Sequence, residues 1–215
     1  AKKQTSTSPF GTQWDVYRPG YEWIEHSIFA ANPKDLEQEQ RILVGGKDCL
    51  QPYLASRLNI SGMSFGSLSK NAVLAMNAGA RMGHFAQNTG EGGISPYHLE
   101  PGGDLIWQIG TGYFGCRTDE GDFSPERFRQ KATLDTVKMI EIKISQGAKP
   151  GHGGILPGTK NTEEIAAIRH VKPHTTVDSP PAHSTFNSAE GLMRFVKQLR
   201  DLSGGKPVGF KICIG

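Results

Sequence analysis

The chain has 215 residues, with 24 lysines and arginines against 21 aspartates and glutamates, and a net charge of +3. A charge so nearly balanced gives no electrostatic support for binding nucleic acid or a membrane surface. No apolar run approaches the roughly 18 residues that a membrane span needs, and no charged-then-apolar leader begins the chain. We therefore expect a soluble, cytoplasmic protein that binds neither nucleic acid nor membranes.

The cysteines and histidines give little support for a metal site. Cys49, Cys116 and Cys213 are far apart and form no C-x-x-C pair, which fits reduced thiols in a cytoplasm. A metal site could be drawn from three histidines that are close in sequence, but no helical HxxxH pair accompanies them. These are His170, His174 and His183. The prediction is that the chain holds no metal.

The first 57 residues are predicted to form an irregular N-terminal arm. Little periodicity occurs before residue 40, yet the segment is rich in aromatic side chains, which favours an arm laid over a domain surface with its rings buried. The aromatic residues are Phe10, Trp14, Tyr17, Tyr21, Trp23 and Phe29. A short strand is predicted over 41–44, leading toward the main domain.

From residue 67 onward, strands alternate with helices. A helix is predicted with Ser69 or Ser67 as its N-cap and Gly83 at its end. A short apolar stretch at 84–86 predicts the next strand, and 105–109 predicts another, with no helix between them. The unit that begins with the strand at 84–86 is therefore expected to be irregular.

The second half of the chain has clearer periodicity. Helices are predicted over 125–136, 161–169 and 188–203, and strands over 139–144 and 207–215, the last of the buried parallel type. Strands that alternate with helices imply parallel βα units, here about four. The chain is also shorter than the roughly 250 residues of a complete eight-stranded barrel. The predicted fold is α/β, of the (β/α)8 TIM-barrel type, with 58–215 forming only the N-terminal half of the barrel.

Three glycine-rich loops follow three of the candidate strands, at 60–66, 88–93 and 145–157. Glycine permits positive φ and close approach of the backbone to a ligand, whereas proline stiffens the loop. The third loop carries one cation, Lys149, among four glycines and two prolines. A lysine in such a loop at the end of a strand is placed to meet a carboxylate or phosphate.

The order and the sequences of these loops resemble those of the FMN-binding central domain of the large subunit of glutamate synthase, over Leu58–Gly215. The matching motifs are Met63–Ser67 (MSFGS), Asn88–Gly93 (NTGEGG), Gln146–Gly151 (QGAKPG), Leu156–Gly158 (LPG) and Ser179–Pro181 (SPP). The segment before Leu58 is similar to the lead-in of the short, single-domain glutamate synthase-like proteins. The resemblance implies an FMN-dependent oxidoreductase of glutamate biosynthesis and nitrogen metabolism, which forms glutamate from 2-oxoglutarate and ammonia.

The resemblance also assigns cofactor-binding residues. Met63 and Ser64 match the family turn that faces the flavin ring, and Gln146 and Lys143 are candidates for its polar edge. These roles fit a flavin, which needs a backbone turn against its ring and donors toward its pyrimidine edge. For Met63, simple core packing is the alternative.

For the substrate, the resemblance places Lys149 and Arg169 on the carboxylates of 2-oxoglutarate and Gly112 at a backbone contact. Glu91, together with Lys149, is the candidate for catalysis, near the imine carbon or ammonia. Two cations suit a diacid, since it carries charge at both ends. The alternatives are that Arg169 caps its own helix and that Glu91 bonds nearby glycine amides.

Two departures from the family pattern leave other functions open. Ile155 stands where the family has glutamine, and His152 where it has glutamate. The loss of an amide favours a flavoprotein acting on a different 2-oxo acid. The phosphate-binding loops and iron–sulfur ligands of the family are absent from this chain, which suggests a non-catalytic fragment as a further alternative. An electron-donor protein or reductase subunit, and self-association or pairing with the missing half, are the partners expected.

Overall fold

A computed structural model describes residues 19–20, 22, 28–30, 32, 41–144 and 153–212. The chain separates into two compact units, Ala1–Gln40 and Arg41–Gly215. The predicted arm lies largely outside the described residues, and its boundary after residue 57 stays a prediction. Among the described residues, no helix is both long enough and apolar enough to cross a membrane.

The second unit alternates strands and helices. The strands are β1 Ile42–Val44, β2 Tyr53–Ala55, β3 Gln87–Asn88, β4 Leu105–Ile109, β5 Val137–Lys143, β6 Ile155–Leu156, β7 Val177–Asp178 and β8 Val208–Lys211. The helices are α1 Lys70–Met82, α2 Pro96–Leu99, α3 Pro125–Ala132, α4 Glu163–Arg169 and α5 Ala189–Leu202.

The central sheet is parallel, with the strand order β3-β4-β5-β8. Ile60 adds an isolated parallel bridge to Gln87 and so extends the sheet at the β3 edge. This mixed α/β arrangement, with successive strands side by side and helices between them, is consistent with part of a barrel. Two antiparallel pairs, β1 with β2 and β6 with β7, lie outside the central sheet.

The apolar face of the sheet packs on α3 and α5. Trp107 of β4 stacks on Phe128 of α3, with ring centroids 5.1 Å apart, and Leu199 of α5 is fully buried in the same cluster. Each such side chain contributes roughly 1.5–3 kcal/mol through burial. A smaller cluster joins α1 and α4 through Val73 and Ile165. It holds the end of α4 close to the glycine-rich loops.

Several helix ends confirm the sequence prediction. Ser69 caps α1 by accepting a hydrogen bond from the Ala72 amide, and Gly83 ends this helix. Ser188 caps α5 in the same way. In contrast, α3 ends at Ala132 and not at 136 as predicted. Lys206 Nζ donates to the carbonyls of Ala132 and Leu134, both at 2.7 Å, and so satisfies two carbonyl groups at and just beyond the end of this helix.

Other elements differ from the prediction. A one-turn helix, α2, lies between Glu91 and Leu105, where no helix was expected. The short strand predicted over 41–44 is confirmed as β1, but its pairing with β2 and the pair of β6 with β7 were not predicted, because strands of two or three residues show no periodicity. Strand β8 is parallel as predicted, but Phe210 in it is 45% exposed, so its end is less buried than expected.

Candidate functional site

Polar side chains gather where β3, β4 and β5 end. Parallel strands bring their carboxyl ends to one edge of a sheet, and the loops after them carry the residues predicted for the site. Glu91 follows β3, Gly112 follows β4, and Lys143 is the last residue of β5. The loops are therefore neighbours in space although they are some 20–50 residues apart in sequence.

Glu91 and Lys143 form an ion pair that joins the first of these loops to the third strand. Lys143 Nζ lies 3.3 Å from Glu91 Oε2, and the two side chains are only 13% and 19% exposed. A Cβ at Gly110 would come within 2.8 Å of Glu91 Cβ, so the end of β4 presses closely on the acid. The pair therefore lies at the ends of three adjacent strands.

Arg169, at the end of α4, reaches the same region. Its side chain is buried, its Nη2 donates to the Phe65 carbonyl at 3.3 Å, and its guanidinium carbon lies 5.1 Å from the centroid of the Phe114 ring. Burial lowers the pKa of Arg169, and the carboxylate of Glu91 opposes this shift in part. The alternative was that Arg169 caps its own helix, but the side chain instead bonds the Phe65 carbonyl.

One donor of Arg169 has no partner within the described residues. The Nε atom is buried and makes no hydrogen bond there. Leaving a buried charged donor unpaired costs about 1–3 kcal/mol. An anionic ligand beside the guanidinium would remove that penalty, so the arrangement is suited to binding a carboxylate.

The turn that contains Met63 and Ser64 lies against the Glu91 loop. Ser64 is buried, and its Oγ bonds Ser67 Oγ at 3.0 Å, whereas Met63 is half-buried. A Cβ at Gly90, which has φ of +65°, would lie 2.7 Å from the Ser64 amide nitrogen. Only glycine permits both this conformation and this contact. Met63 is not a core residue of the described hydrophobic clusters.

At Gly92, the turn and Arg169 meet. A Cβ there would lie 2.8 Å from Ser64 Cβ and 3.0 Å from Arg169 Nη2. The sequence Gly90-Glu91-Gly92 therefore places an acid between two positions that lack room for a side chain. These close contacts, together with the ion pair, bring together four predicted site residues: Ser64, Glu91, Lys143 and Arg169.

Gly112 lies in the buried loop after β4, beside two residues that the sequence did not single out. Its carbonyl accepts a hydrogen bond from Arg117 Nη1 at 3.3 Å. The Arg117 guanidinium lies 5.6 Å from the centroid of the Phe114 ring, which Arg169 also approaches. Contacts of this kind contribute about 0.5–2 kcal/mol each. Phe114 thus connects Gly112 to the buried Arg169.

The sheet face that does not contact α3 and α5 carries a polar network. Glu141 Oε1 accepts hydrogen bonds from Asn88 Nδ2 at 2.9 Å and from Gln108 Nε2 at 2.5 Å. A cleft of about 490 Å³ opens beside this network; it is bounded by residues 59–62 on one side and 210–212 on the other. The network was not predicted, although Glu141 stands between the apolar Ile140 and Ile142 along β5.

His98 is fully buried, close to the backbone of Met63. Its Nδ1 accepts hydrogen bonds from the Ser95 amide at 3.1 Å and from Ser95 Oγ at 2.8 Å, which leaves the ring proton on Nε2. Burial lowers the pKa of His98 to about 4, and the backbone of Met63 opposes this shift in part. The imidazole is therefore neutral at physiological pH.

Two predicted site residues, Gln146 and Lys149, lie outside the described residues, and their positions stay predictions. Two of the three histidines considered as metal ligands contact separate partners. His174 Nε2 lies 3.4 Å from Glu163 Oε1, whereas His183 bonds Tyr113 and the Lys143 carbonyl. Across 41–144 and 153–212, no three histidine, cysteine or acidic residues form a group that could hold a metal ion.

Comparison with known proteins identifies the relatives of this chain. Residues 5–215 match a family described as a conserved region in glutamate synthase. The chain is 41% identical over 196 residues to the glutamate synthase large subunit-like protein YerD of Bacillus subtilis, which covers 90% of this chain and 37% of that protein. It is 34% identical over 194 residues to the archaeal glutamate synthase [NADPH] of Methanocaldococcus jannaschii, covering 89% of this chain and 34% of the relative.

A third relative is the archaeal-type glutamate synthase [NADPH] of Thermotoga maritima, 34% identical over 181 residues, or 83% of this chain and 33% of that protein. The chain therefore spans about a third of the length of these curated relatives. The similarity also extends into the first 57 residues, because the family match begins at residue 5.

Proposed function

Because the chain belongs to the glutamate synthase family, we propose that it contributes to the site of an FMN-dependent oxidoreductase that reductively aminates 2-oxoglutarate to glutamate. The observation that carries this proposal is the convergence of the Glu91–Lys143 ion pair and the buried Arg169 at the ends of three parallel strands. One acid and two cations at such an edge suit an anionic substrate that must also exchange protons.

The residues on this edge fit a flavin. The backbone at Gly62 lies so near the polar network that a Cβ would come within 3.0 Å of Asn88 Oδ1. The cleft of about 490 Å³ beside it is large enough for much of a planar ring system. Met63 and Ser64 would hold the ring face, and Lys143 and Gln146 would donate toward its polar edge. FMN when bound supplies two-electron reduction of a carbon–nitrogen double bond.

The substrate would be bound mainly by cations. Arg169 presents a planar guanidinium whose buried Nε has no partner in the described ranges, and this suits a carboxylate. We assign Lys149 to the second carboxylate of a diacid, and a backbone contact to Gly112. Two charges at separate points would fix both the position and the orientation of a C5 diacid.

Glu91 is assigned to proton transfer. Its carboxylate is held by Lys143 at 3.3 Å and is little exposed to solvent, so its orientation is fixed. A fixed carboxylate beside a carbonyl carbon can accept a proton from ammonia as it adds, and return one to the departing hydroxyl. Lys143 would hold the acid in place while the cationic Arg169 and Lys149 bind the substrate.

The experiment is a binding study on the full-length protein that carries this sequence. Flavin retention is read from visible absorbance, and 2-oxoglutarate affinity from titration of the flavin spectrum. Arg169→Met and Lys149→Ala should each weaken 2-oxoglutarate binding by roughly 10–100-fold through loss of a charge-assisted contact, with flavin content unchanged. Arg194→Met is the matched control, since Arg194 pairs with Glu190 on the exposed face of α5.

Absence of flavin from the full-length protein would contradict the cofactor assignment. Unchanged affinity in Arg169→Met and Lys149→Ala would contradict the substrate assignment alone. It would then favour the second candidate function, a flavoprotein that acts on another 2-oxo acid. The feature that favours this candidate is Ile155, which is 65% exposed on β6 and offers no amide to a distal carboxylate.

The proposal also includes partners. An electron donor, either a separate protein or a reductase subunit, would have to supply the reducing equivalents. The 215 residues alone are expected to self-associate or to pair with a further segment, because Phe210 of β8 and Ile212 just after it are about half exposed at the edge of the sheet. A non-catalytic role for the isolated 215 residues is compatible with the same features.

A further inference from the structure

The loop over 179–186 carries a buried histidine that contacts the end of β5. His183 is 6% exposed, and its Nε2 lies 2.8 Å from the Lys143 carbonyl oxygen. Its Nδ1 lies 3.2 Å from the hydroxyl of Tyr113, a fully buried residue of the loop after β4. One imidazole therefore connects two of the strand ends that form the site.

The Lys143 carbonyl needs this contact because β4 is too short to supply one. Ile140 donates to Pro207, just before β8, and Ile144 donates to Lys211 of β8. Because backbone groups alternate between the two sides of a strand, the N–H and C=O of Lys143 face β4. Strand β4 ends at Ile109, which pairs with Ile142. The last carbonyl of β5 thus lies one residue beyond the ladder. His183 takes the place of the missing strand residue.

The direction of every hydrogen bond in this network is fixed. A carbonyl only accepts, so His183 Nε2 carries the proton, and in the neutral ring Nδ1 is then the acceptor. Tyr113 must donate to Nδ1, and its oxygen accepts from the Thr185 amide at 3.2 Å and from Thr185 Oγ1 at 3.0 Å. Every member of the network has a single consistent role, which makes the network rigid.

The same loop is attached at two further points. Thr111 Oγ1 donates to the Pro180 carbonyl at 2.6 Å, and the Ser179 amide donates to the Gly154 carbonyl at 2.8 Å. The His183 ring also stacks on Phe186, with centroids 5.0 Å apart. The loop is therefore anchored to the β4 loop and to the segment before β6, and the imidazole cannot easily move.

We propose that His183 is a positioning residue for the site, a role that rests on the proposed function. By holding the Lys143 carbonyl, it fixes the end of β5 and thereby sets the Lys143 ammonium against Glu91. His183 touches neither substrate nor cofactor in this role and acts through Lys143.

Two conservative variants distinguish the contributions of the two imidazole nitrogens. In His183→Gln, the amide nitrogen can take the place of Nε2 and still donate to the Lys143 carbonyl. In His183→Asn, the shorter amide can take only the place of Nδ1, toward Tyr113. We expect His183→Asn to raise hydrogen exchange of the Ile144 amide, which donates to Lys211, about tenfold, and His183→Gln to change it less than about threefold.

A spectroscopic measurement reports on the ion pair itself. The 13Cε chemical shift of Lys143 should change in His183→Asn in the same direction as in Glu91→Gln. In His183→Gln it should have the value of the unmodified protein. In the full-length protein, His183→Asn should lower kcat more than it raises KM for the 2-oxo acid, since the substrate-binding Arg169 lies on a different element. Exchange at the buried Trp107 and Leu199 serves as the control for global stability.

The outcomes separate this proposal from the proposed function. Equal behaviour of His183→Asn and His183→Gln, or equal acceleration of exchange at Ile144 and Trp107, would overturn the positioning role. An unmoved Lys143 signal in His183→Asn would do the same. A protein that lacks flavin and activity, but in which the exchange and Lys143 signals respond as expected, would retain the positioning role and contradict only the proposed reaction.

Discussion

Lys143 and Glu91 are 52 residues apart in sequence, yet the Lys143 ammonium lies 3.3 Å from a carboxylate oxygen of Glu91. The contact joins the end of β5 to the loop after β3 across the end of the strand between them, β4. Since both side chains are largely buried, removing one partner leaves the other charged and poorly solvated. This pair gives the first test of how the site is held.

Glu91→Gln should destabilise the protein by about 1–3 kcal/mol, because the ammonium of Lys143 loses its counter-charge in a buried place. The measurement is the free energy of unfolding by urea. Adding Lys143→Met to this variant should recover part of the loss, since no unpaired charge then remains. Glu190→Gln, which breaks the exposed pair with Arg194, is the control and should change stability by less than about 0.5 kcal/mol. A loss of stability of equal size in Glu91→Gln and Glu190→Gln would contradict the prediction.

A second prediction concerns the glycines around Glu91. Gly92→Ala introduces a Cβ 2.8 Å from Ser64 Cβ and 3.0 Å from Arg169 Nη2, so it should destabilise the protein by about 1–3 kcal/mol. The matched control is Gly79→Ala in α1, where nothing lies within 4 Å of the new atom. That change should stabilise by roughly 0.5–1 kcal/mol through helix propensity. Thermal unfolding of the two variants should therefore shift in opposite directions.

The fold could be predicted wherever the sequence has a clear period. The strand around Ile140 and the helix around Leu199 have alternating or helical patterns that burial in one core requires. The elements β6, β7 and α2 have two to four residues, which is too few for any period. They are fixed by individual contacts: the bonds of His98 with Ser95, three residues away, hold α2, and the pairing of Ile155 with Asp178 joins β6 to β7.

The site could be predicted only in part, and for a different reason. The resemblance to a family indicated Ser64, Glu91, Lys143 and Arg169, which the structure brings to one edge. It gave no signal for His183, because the partners of its ring lie 40 and 70 residues away. The alternation in β5 could have drawn attention to Glu141, but the two amides that bond its half-buried carboxylate, those of Asn88 and Gln108, are distant in sequence.

The buried His98 predicts a pH dependence of stability. Its pKa is about 4 in the folded protein and about 6.5 when unfolded, so between these values the unfolded state binds more protons. The contribution of His98 to the free energy of unfolding is therefore fully present above about pH 6.5 and is lost as the pH falls toward about 4. Over the whole window the loss is about 3 kcal/mol.

The check on His98 is the free energy of unfolding of the protein and of His98→Leu at several pH values from about 7.5 to about 4.5. The variant should be less stable at neutral pH, because the donors of Ser95 lose their acceptor, but its stability should fall less steeply on acidification. The pKa values of His183 and His170 are also lowered by burial and contribute slope in the same direction, so the difference between the two proteins is the informative quantity. Parallel curves would contradict the assignment to His98.

The last prediction concerns Ile155, which stands where the resemblance implies a glutamine. The side chain is 65% exposed on β6, so Ile155→Gln removes little buried apolar surface and should change the free energy of unfolding by less than about 0.5 kcal/mol. If the natural substrate is a diacid bound near β6, the new amide adds a hydrogen bond to its distal carboxylate. The affinity of the full-length protein for 2-oxoglutarate should then rise about tenfold, whereas that for a 2-oxo acid with an apolar side chain should stay the same or fall.

Titration of the flavin spectrum with both acids measures the ratio of the two affinities, and Ile155→Leu controls for the change in shape. A ratio that is unchanged by the amide would mean that β6 does not line the substrate site, and that the specificity of this protein is determined on the Arg169 side alone.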